Sequence, residues 1–336
     1  SSDLSRPTVG LLLPSLGDNV EALWLSATEA ARQADINLIS FQLGYQQEGT
    51  VETLHTLIDQ GYVDVLIIAP DNLLIPAGQA HTFIDRFGPI PVVSVGTVVP
   101  DVPSTVPDNH HGMSQVVEHL VNVHHCRHIA YVHGPRHIAW EEARYRGYCD
   151  VLEAHGLTLD PALVVPPGDR DQWQDPARVL HILLEERELR PGVDFEAIVM
   201  SNDKGAASVI HALERRGIGV PRDVKVTGYD DTLVSRACSV PVTSVRQPIR
   251  SLMQLSIDLA QGRLEGSDVP LVTHLPPQLV VRRSCGCRSK TIVDTGKGPD
   301  AKPVRDIADV AADPIGEALP VSPEDLDHVL RAFSEA

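Results

Sequence analysis

AIVMSNDKGAASVIHALERRGIGVPRDVKVTGYDDTLVSRACSVPVTSVRQP, residues 197–248, is the stretch whose reading decides the fold. It opens on a short apolar run at 197–200, as a strand covered on both faces requires. A helical pattern follows over 204–216 and stops at Gly217, a residue suited to ending a helix because it adopts the left-handed conformation at no cost. A second β-branched strand follows at 224–228. Strand, helix and strand at this spacing make a βαβ unit, which needs a parallel sheet with helices on its faces. Asn202 and Asp203 fall just past the first strand, and Asp230 and Asp231 just past the second. In open α/β sheets, ligands bind beyond the carboxyl ends of the strands.

The same rhythm extends outward. Upstream, strands are expected at 128–132 and 163–165. A helix before them carries Met113, Val116, Val117, Leu120 and Val121 on one stripe and is capped by Asp108 or Asn109. Further upstream, the Pro-rich stretch 100–107 reads as a boundary. Before it lies another series, with strands at 8–13, 36–41, 63–69 and 91–95. One helix of that series places Val20, Leu23, Trp24, Ala27 and Ala31 on one face, and another carries Val51, Leu54, Leu57 and Ile58 and ends near Gly61. Two such series imply two doubly wound lobes, which suits 336 residues at about 150 per domain. Residues 288–320 are rich in Gly, Pro, Asp and Ala and read as a linker. Ser322, Pro323, Glu324 and Asp325 then start a helix with a cap, a first-turn proline and acids, and Leu326, Val329, Leu330 and Phe333 give it one apolar face. That helix reads equally as a connection onward or as an element docked on the lobes.

Composition narrows the function. A net charge of -17 repels phosphate backbones, so no direct nucleic-acid contact is expected of this chain. No apolar run reaches the length of a membrane span, and residues 1–6 are too polar for the centre of a signal peptide. The five cysteines (126, 149, 238, 285 and 287) are odd in number and scattered, unlike a disulfide framework, so a cytoplasmic location is expected. A phosphate-cradling Gly loop, a Ser nucleophile elbow and a helix-borne metal pair are all absent from the sequence. The adjacent acids Glu141-Glu142 and Asp230-Asp231 point apart, so no enzyme activity is expected.

Residues 197–248 closely resemble the core of the lactose-repressor/purine-repressor (LacI/GalR) family. The features that carry the resemblance are Asn-Asp after a strand, the ERRGIGVPRDVKVTGYDD run, and the return P-V-T-S-V-R-Q-P. DNHHGMSQVVEHLVNVHHCRHIAYVHGPRHIAWEEARYRGYCDVLEAHGL (108–157) is similar to the same family through Asp-Asn opening a helix, Gly-Pro after a strand, and Arg-x-x-Gly-Tyr. With VGLLLPSL near the start, the resemblance covers roughly residues 7–283. It implies a type I periplasmic-binding-protein-like α/β fold, two parallel-sheet lobes joined by a three-crossing hinge. The N-lobe would be 7–106 plus 245–272, the C-lobe 107–241 plus 275–283, with 284–321 a linker and 322–336 the terminal helix.

The resemblance also implies a small polar effector, a sugar, nucleoside or similar molecule, held between the lobes. Arg144 and Asp230 match the family's best-attested ligand-holding positions, with Asn202 next. Gln247 lies in the return segment. A guanidinium offers five donors in a plane, and a carboxylate accepts from two hydroxyls. Trp140, one helical turn before Arg144, and Trp173 are candidate stacking residues. The loop after the first strand, PSLGDNV, is one residue short of the family's pattern and places Val20 near where a large aromatic is usual; Ser15, Asp18 and Asn19 are its polar candidates. A homodimer is expected, and no cofactor. Family repressors carry an N-terminal helix-turn-helix, while this chain starts almost at its first strand, and the ending LVVRRSCGC (279–287) resembles sensor modules ahead of a histidine kinase or diguanylate cyclase. A signalling output or a DNA-binding domain is thus expected outside these residues. The alternative is an exported binding protein that delivers its ligand to a transporter. Cys285 and Cys287 make half a tetrahedral zinc site. With nothing in the sequence to bring His124, His125 or His128 to them, they read as two free thiols and no metal is assigned.

Overall fold

The computed structural model describes residues 6–14, 19–42, 48–70, 73, 75, 77–135, 138–168 and 174–287. The expected linker beyond residue 287 and the helix at 322–336 therefore lie outside the described residues. The first part of the chain runs β1 (Thr8–Leu13), α1 (Asn19–Gln33), β2 (Asn37–Gln42), α2 (Glu48–Asp59), β3 (Val65–Ile68), α3 (Ala77–Asp85), β4 (Val92–Val95) and β5 (Ser104–Pro107). The second runs α4 (Asn109–His124), β6 (Ile129–Val132), α5 (Ala139–Ala154), β7 (Val164–Val165) and α6 (Pro176–Leu180). It continues through β8 (Ala197–Met200), α7 (Asp203–Arg215), β9 (Lys225–Thr227), α8 (Leu233–Ala237) and β10 (Ser244–Arg246). The chain then forms α9 (Ile249–Leu264), β11 (Val272–Leu275) and β12 (Gln278–Val280).

Two parallel sheets result, ordered β11-β5-β4-β3-β1-β2 and β7-β6-β8-β9. Alternation within the strands explains how each sheet serves two cores. In β1, Val9, Leu11 and Leu13 face α1 and α9, where Ala27, Ala31, Met253 and Ile257 are buried. Leu12, on the opposite face, meets Leu54, Ala80, Ile84 and Phe87 of α2, α3 and the turn after α3. In β6, Ile129 and Tyr131 face α4 and α5, while Ala130 and Val132 face α7. Strands this apolar on both sides stabilise by burial at roughly 25 cal/mol per Å².

The chain passes between the sheets three times, after β5, after β10 and after β11, the hinge of the periplasmic-binding-protein-like fold. Three details differ from the sequence reading. The Pro-rich stretch 100–107 contains β5, a fully buried strand pairing β4 and β11. Its prolines fall outside or at the end of the strand, and Thr105 Oγ1 reaches Ser256 at 2.7 Å, so a polar sequence is satisfied inside a core. The short pair β10–β12 lies beside the second sheet, and Val245 packs in that sheet's core; β11 carries the first sheet to Leu275. Finally, residues 284–287, expected as linker, belong to the folded unit. A 3₁₀ turn at Arg283–Cys285 is pinned by Ser284 Oγ, which donates to Val226 O at 2.5 Å and accepts from Thr243 N at 2.8 Å.

Candidate ligand-binding site

Arg-x-x-Gly-Tyr is a positioning device. Tyr148 donates its hydroxyl to Ile129 O at 2.8 Å and locks α5 to β6. Gly147 lets α4 approach, since a Cβ there would lie 2.5 Å from His110 O. With α5 so placed, Arg144 is 3% exposed and aims past the carboxyl end of β8. Its Nη1 donates to Ser201 O at 2.5 Å, its Nε to Asn109 Oδ1 at 2.9 Å, and its Nη2 to Asp230 Oδ1 at 3.4 Å. The guanidinium lies 3.5 Å from the centroid of the Tyr229 ring and 4.4 Å from that of Trp140. Two aromatic rings thus pack against the cation and offset part of its desolvation.

Asp230 has φ 107, a conformation that L-residues seldom adopt. It is held by its N–H, which donates to Val245 O at 2.8 Å, and by Gln247 Nε2, which donates to Oδ1 at 2.5 Å. Asn109 opens the first hinge crossing and Gln247 lies on the second, so the Arg144–Asp230 pair is bonded directly to two hinge segments. Four expected residues, Arg144, Asp230, Gln247 and Trp140, are therefore brought together.

The others fall differently. Asn202 caps α7, its Oδ1 accepting from Gly205 N at 2.9 Å. Asp203, beside it, is fully buried. It accepts from Thr232 N at 2.6 Å, Thr232 Oγ1 at 3.1 Å and Ser244 Oγ at 2.6 Å. Ser15, Asp18 and Trp173 lie outside the described residues; Asn19 opens α1, and its side chain is likewise not described. Val20 is half-buried and packs on the core under α1. The paired acids diverge as expected. Glu141 is buried, accepting from Tyr131 Oη at 3.0 Å and facing His133 Nδ1 at 3.1 Å, whereas Glu142 is exposed. Asp231 turns from Asp230 to meet Arg236, Arg246 and Arg282.

Sequence reasoning missed Asp203 and Glu141 as buried acids and Tyr229 as the ring under Arg144. Each becomes recognisable only once both strands' ends are placed. Of the three histidines weighed for Cys285 and Cys287, His124 lies against the Cys287 thiol while His125 and His128 are exposed; His119, which lies against Cys285, was missed.

Burial, and next the nearby Asp230 charge, push Asp203 up from 3.8 to about 7. An acid with a raised folded-state pKa favours folding in its protonated form. Its contribution is complete below about pH 4 and lost as pH rises through about 7. Three units at 1.36 kcal/mol each bound the effect at about 4 kcal/mol. Asp203→Asn is expected to flatten the fall in melting temperature between about pH 4 and pH 7. Parallel pH profiles for parent and variant would refute this.

Similarity to known proteins agrees with this geometry. The periplasmic binding protein-like domain family matches residues 117–285, half of the chain. The chain belongs to it, as a LacI/GalR-family effector-binding domain. The HTH-type transcriptional regulator GalR of Salmonella typhimurium is 27% identical over 294 residues, covering 86% of this chain and 81% of the relative. The solved CelR–cellobiose complex superposes with a TM-score of 0.70 at 25% identity, over 84% of this chain and 86% of that one. The lac repressor dimer bound to operator and an anti-inducer gives a TM-score of 0.70 at 22% identity, covering 84% and 95%. LacI/GalR relatives of this kind are transcriptional regulators, which fits a ligand-sensing role and not the alternative of delivery to a transporter. Among the described residues no helix is long and apolar enough to cross a membrane.

Proposed function

We propose that this LacI/GalR domain senses a sugar or sugar-like molecule bound against Arg144, Asp230 and Trp140, and reports it by hinge closure. The observation that carries the reading is the Arg144–Asp230 pair, buried at the carboxyl ends of β8 and β9 and bonded to hinge residues Asn109 and Gln247. A vicinal diol can replace the long 3.4 Å contact, one hydroxyl accepting from Arg144 while another donates to Asp230. Trp140 presents a ring for the apolar face of a pyranose. Asn202, with its oxygen committed to the cap, retains an amide donor at the same strand end. Ser15, Asp18, Asn19 and Trp173 remain the further candidates for contact with the ligand.

The two lobes close when the ligand binds the closed form better than the open one. The domain performs no catalysis of its own, works in the cytoplasm, forms a homodimer, and passes its signal to a DNA-binding or signalling partner domain. The lac repressor is a dimer in its operator-bound structure, which supports the assembly. The cellobiose held by CelR supports a saccharide ligand.

The test is a thermal-shift screen with pentoses, hexoses, disaccharides, nucleosides and purines. A ligand at a hundred times its Kd adds about 2.7 kcal/mol of stability. At least one saccharide is expected to raise the melting temperature. Asp230→Ala should weaken its binding by about 1.5–3 kcal/mol, the worth of a hydrogen bond to charge. A response confined to nucleosides or purines, or equal binding by the variant, would overturn the assignment.

A further inference from the structure

At the far end of α4 from Asn109, four soft ligand atoms converge. His119 Nε2 lies 3.4 Å from Cys285 Sγ, 3.6 Å from Cys287 Sγ and 3.3 Å from His124 Nε2, and His124 Nε2 lies 3.4 Å from Cys287 Sγ. All four ligand atoms are within 4.8 Å of one another, and no carboxylate is among them. We propose that His119, His124, Cys285 and Cys287 form a tetrahedral Cys₂His₂ site for zinc.

The distances carry the argument. With Zn–N of about 2.0–2.1 Å and Zn–S of about 2.3 Å, a tetrahedron has edges of about 3.3–3.4 Å between nitrogens and about 3.6 Å between nitrogen and sulfur. The observed separations of 3.3 Å and of 3.4–3.6 Å fit those edges. Hydrogen bonding alone leaves the cluster unsatisfied. A neutral imidazole nitrogen has one proton or one lone pair, yet His119 Nε2 faces three partners. A cation at the centre satisfies all four atoms at once. Two thiolates with two imidazoles in a tetrahedron select zinc over magnesium, calcium or manganese.

The chain is shaped for this. His119 and His124 lie five residues apart at the end of α4, both half-buried. Cys285 ends the 3₁₀ turn, and Gly286 at φ 100 reverses the chain so that the second thiol returns to the same point. A bound ion would fasten the end of the folded unit to α4, whose other end carries Asn109 of the ligand site. At about 1.5 Å per residue, the helix separates the two sites by roughly 20 Å. Closing a loop that runs from residue 119 to residue 285 makes such a clip stabilising, and the site saturated four-fold by protein is structural rather than catalytic.

The experiment uses tag-free full chain, purified under reducing conditions without chelator, with metal measured by inductively coupled plasma mass spectrometry. One zinc per chain is expected in the parent, and a large loss in Cys287→Ser and in His124→Ala. Cys287 and His124 are only half-buried, so both variants should fold, which circular dichroism checks. After zinc removal, Co²⁺ should give the parent the visible bands of tetrahedral cobalt and a thiolate charge-transfer band, weakened in Cys287→Ser. Stripped parent should melt lower than the zinc form. A reduced parent that carries no zinc and gives no thiolate–cobalt band overturns the proposal, as does equal zinc content in folded Cys287→Ser.

Discussion

Arg144→Ala is expected to abolish effector binding and to destabilise the domain by about 3–5 kcal/mol, the cost of removing one partner from a buried ion pair. The side chain is 4% exposed and its partner Asp230 only 10%. Deleting the guanidinium strips the donors from Asn109 Oδ1 and the Ser201 carbonyl, and takes the Arg144 cation away from Asp230. It also empties the space between the Trp140 and Tyr229 rings. Arg144→Lys separates charge from geometry. An ammonium restores a cation but cannot address Nε, Nη1 and Nη2 partners in one plane. Lysine should therefore recover part of the stability while leaving saccharide binding weak. Urea unfolding reads the first effect and titration calorimetry the second. Wild-type affinity in the lysine variant would mean that Arg144 supplies only charge, and wild-type stability in the alanine variant would remove it from the core network.

The fold was legible in the sequence because its strands are buried on both faces. The runs at 9–13 and 197–200 hold no polar side chain, and the helices along the chain carry their caps and stops in place: Asp108 accepting from His111 N, Gly61 and Gly217 in the left-handed conformation. β5 was hidden for the opposite reason. Ser104 and Thr105 look like loop residues until their hydroxyls are matched, Ser104 with the Val102 carbonyl and Thr105 with Ser256 of α9, more than a hundred residues away. The site shows the same division. Asp230 was readable as a candidate because it falls just past a strand end, where ligands sit in such sheets, and Arg144 through the family resemblance. The division of roles between Asn202, which caps α7, and the buried Asp203 was not, since either residue type caps a helix. Which one turns inward depends on Ser244 and Thr232, which the fold brings from two other segments. The histidine–cysteine cluster required a pairing across more than 160 residues, for which spacing along the chain carries no signal.

Asp231→Ala should do to stability what Asp230→Ala does to binding, and the contrast between these neighbours tests the whole assignment. The Asp231 side chain is fully buried among three arginines. Arg246 Nε donates to it at 2.6 Å, Arg236 Nη2 at 3.0 Å, and Arg282 Nη2 makes a very short contact. Burial by itself would raise its pKa; the hydrogen bonds from Arg282 and Arg246 outweigh this and hold it below the ordinary carboxylate range. Its stabilisation is thus present above the unfolded pKa and is lost as pH falls through the lower folded value. One anion binds α8, β10 and the segment that enters the final 3₁₀ turn. Arg236 and Arg246 are half-exposed and can return to water, but Arg282 is 14% exposed and cannot. The loss should therefore sit near the low end for a broken buried pair, about 3 kcal/mol. Saccharide affinity in the variant that remains folded should stay within a few-fold of the parent, because Asp231 makes no contact with Arg144 or Gln247 among the described residues. If Asp231→Ala instead abolished binding at unchanged stability, the two aspartates would have exchanged roles and the ligand would lie on the arginine side of the turn.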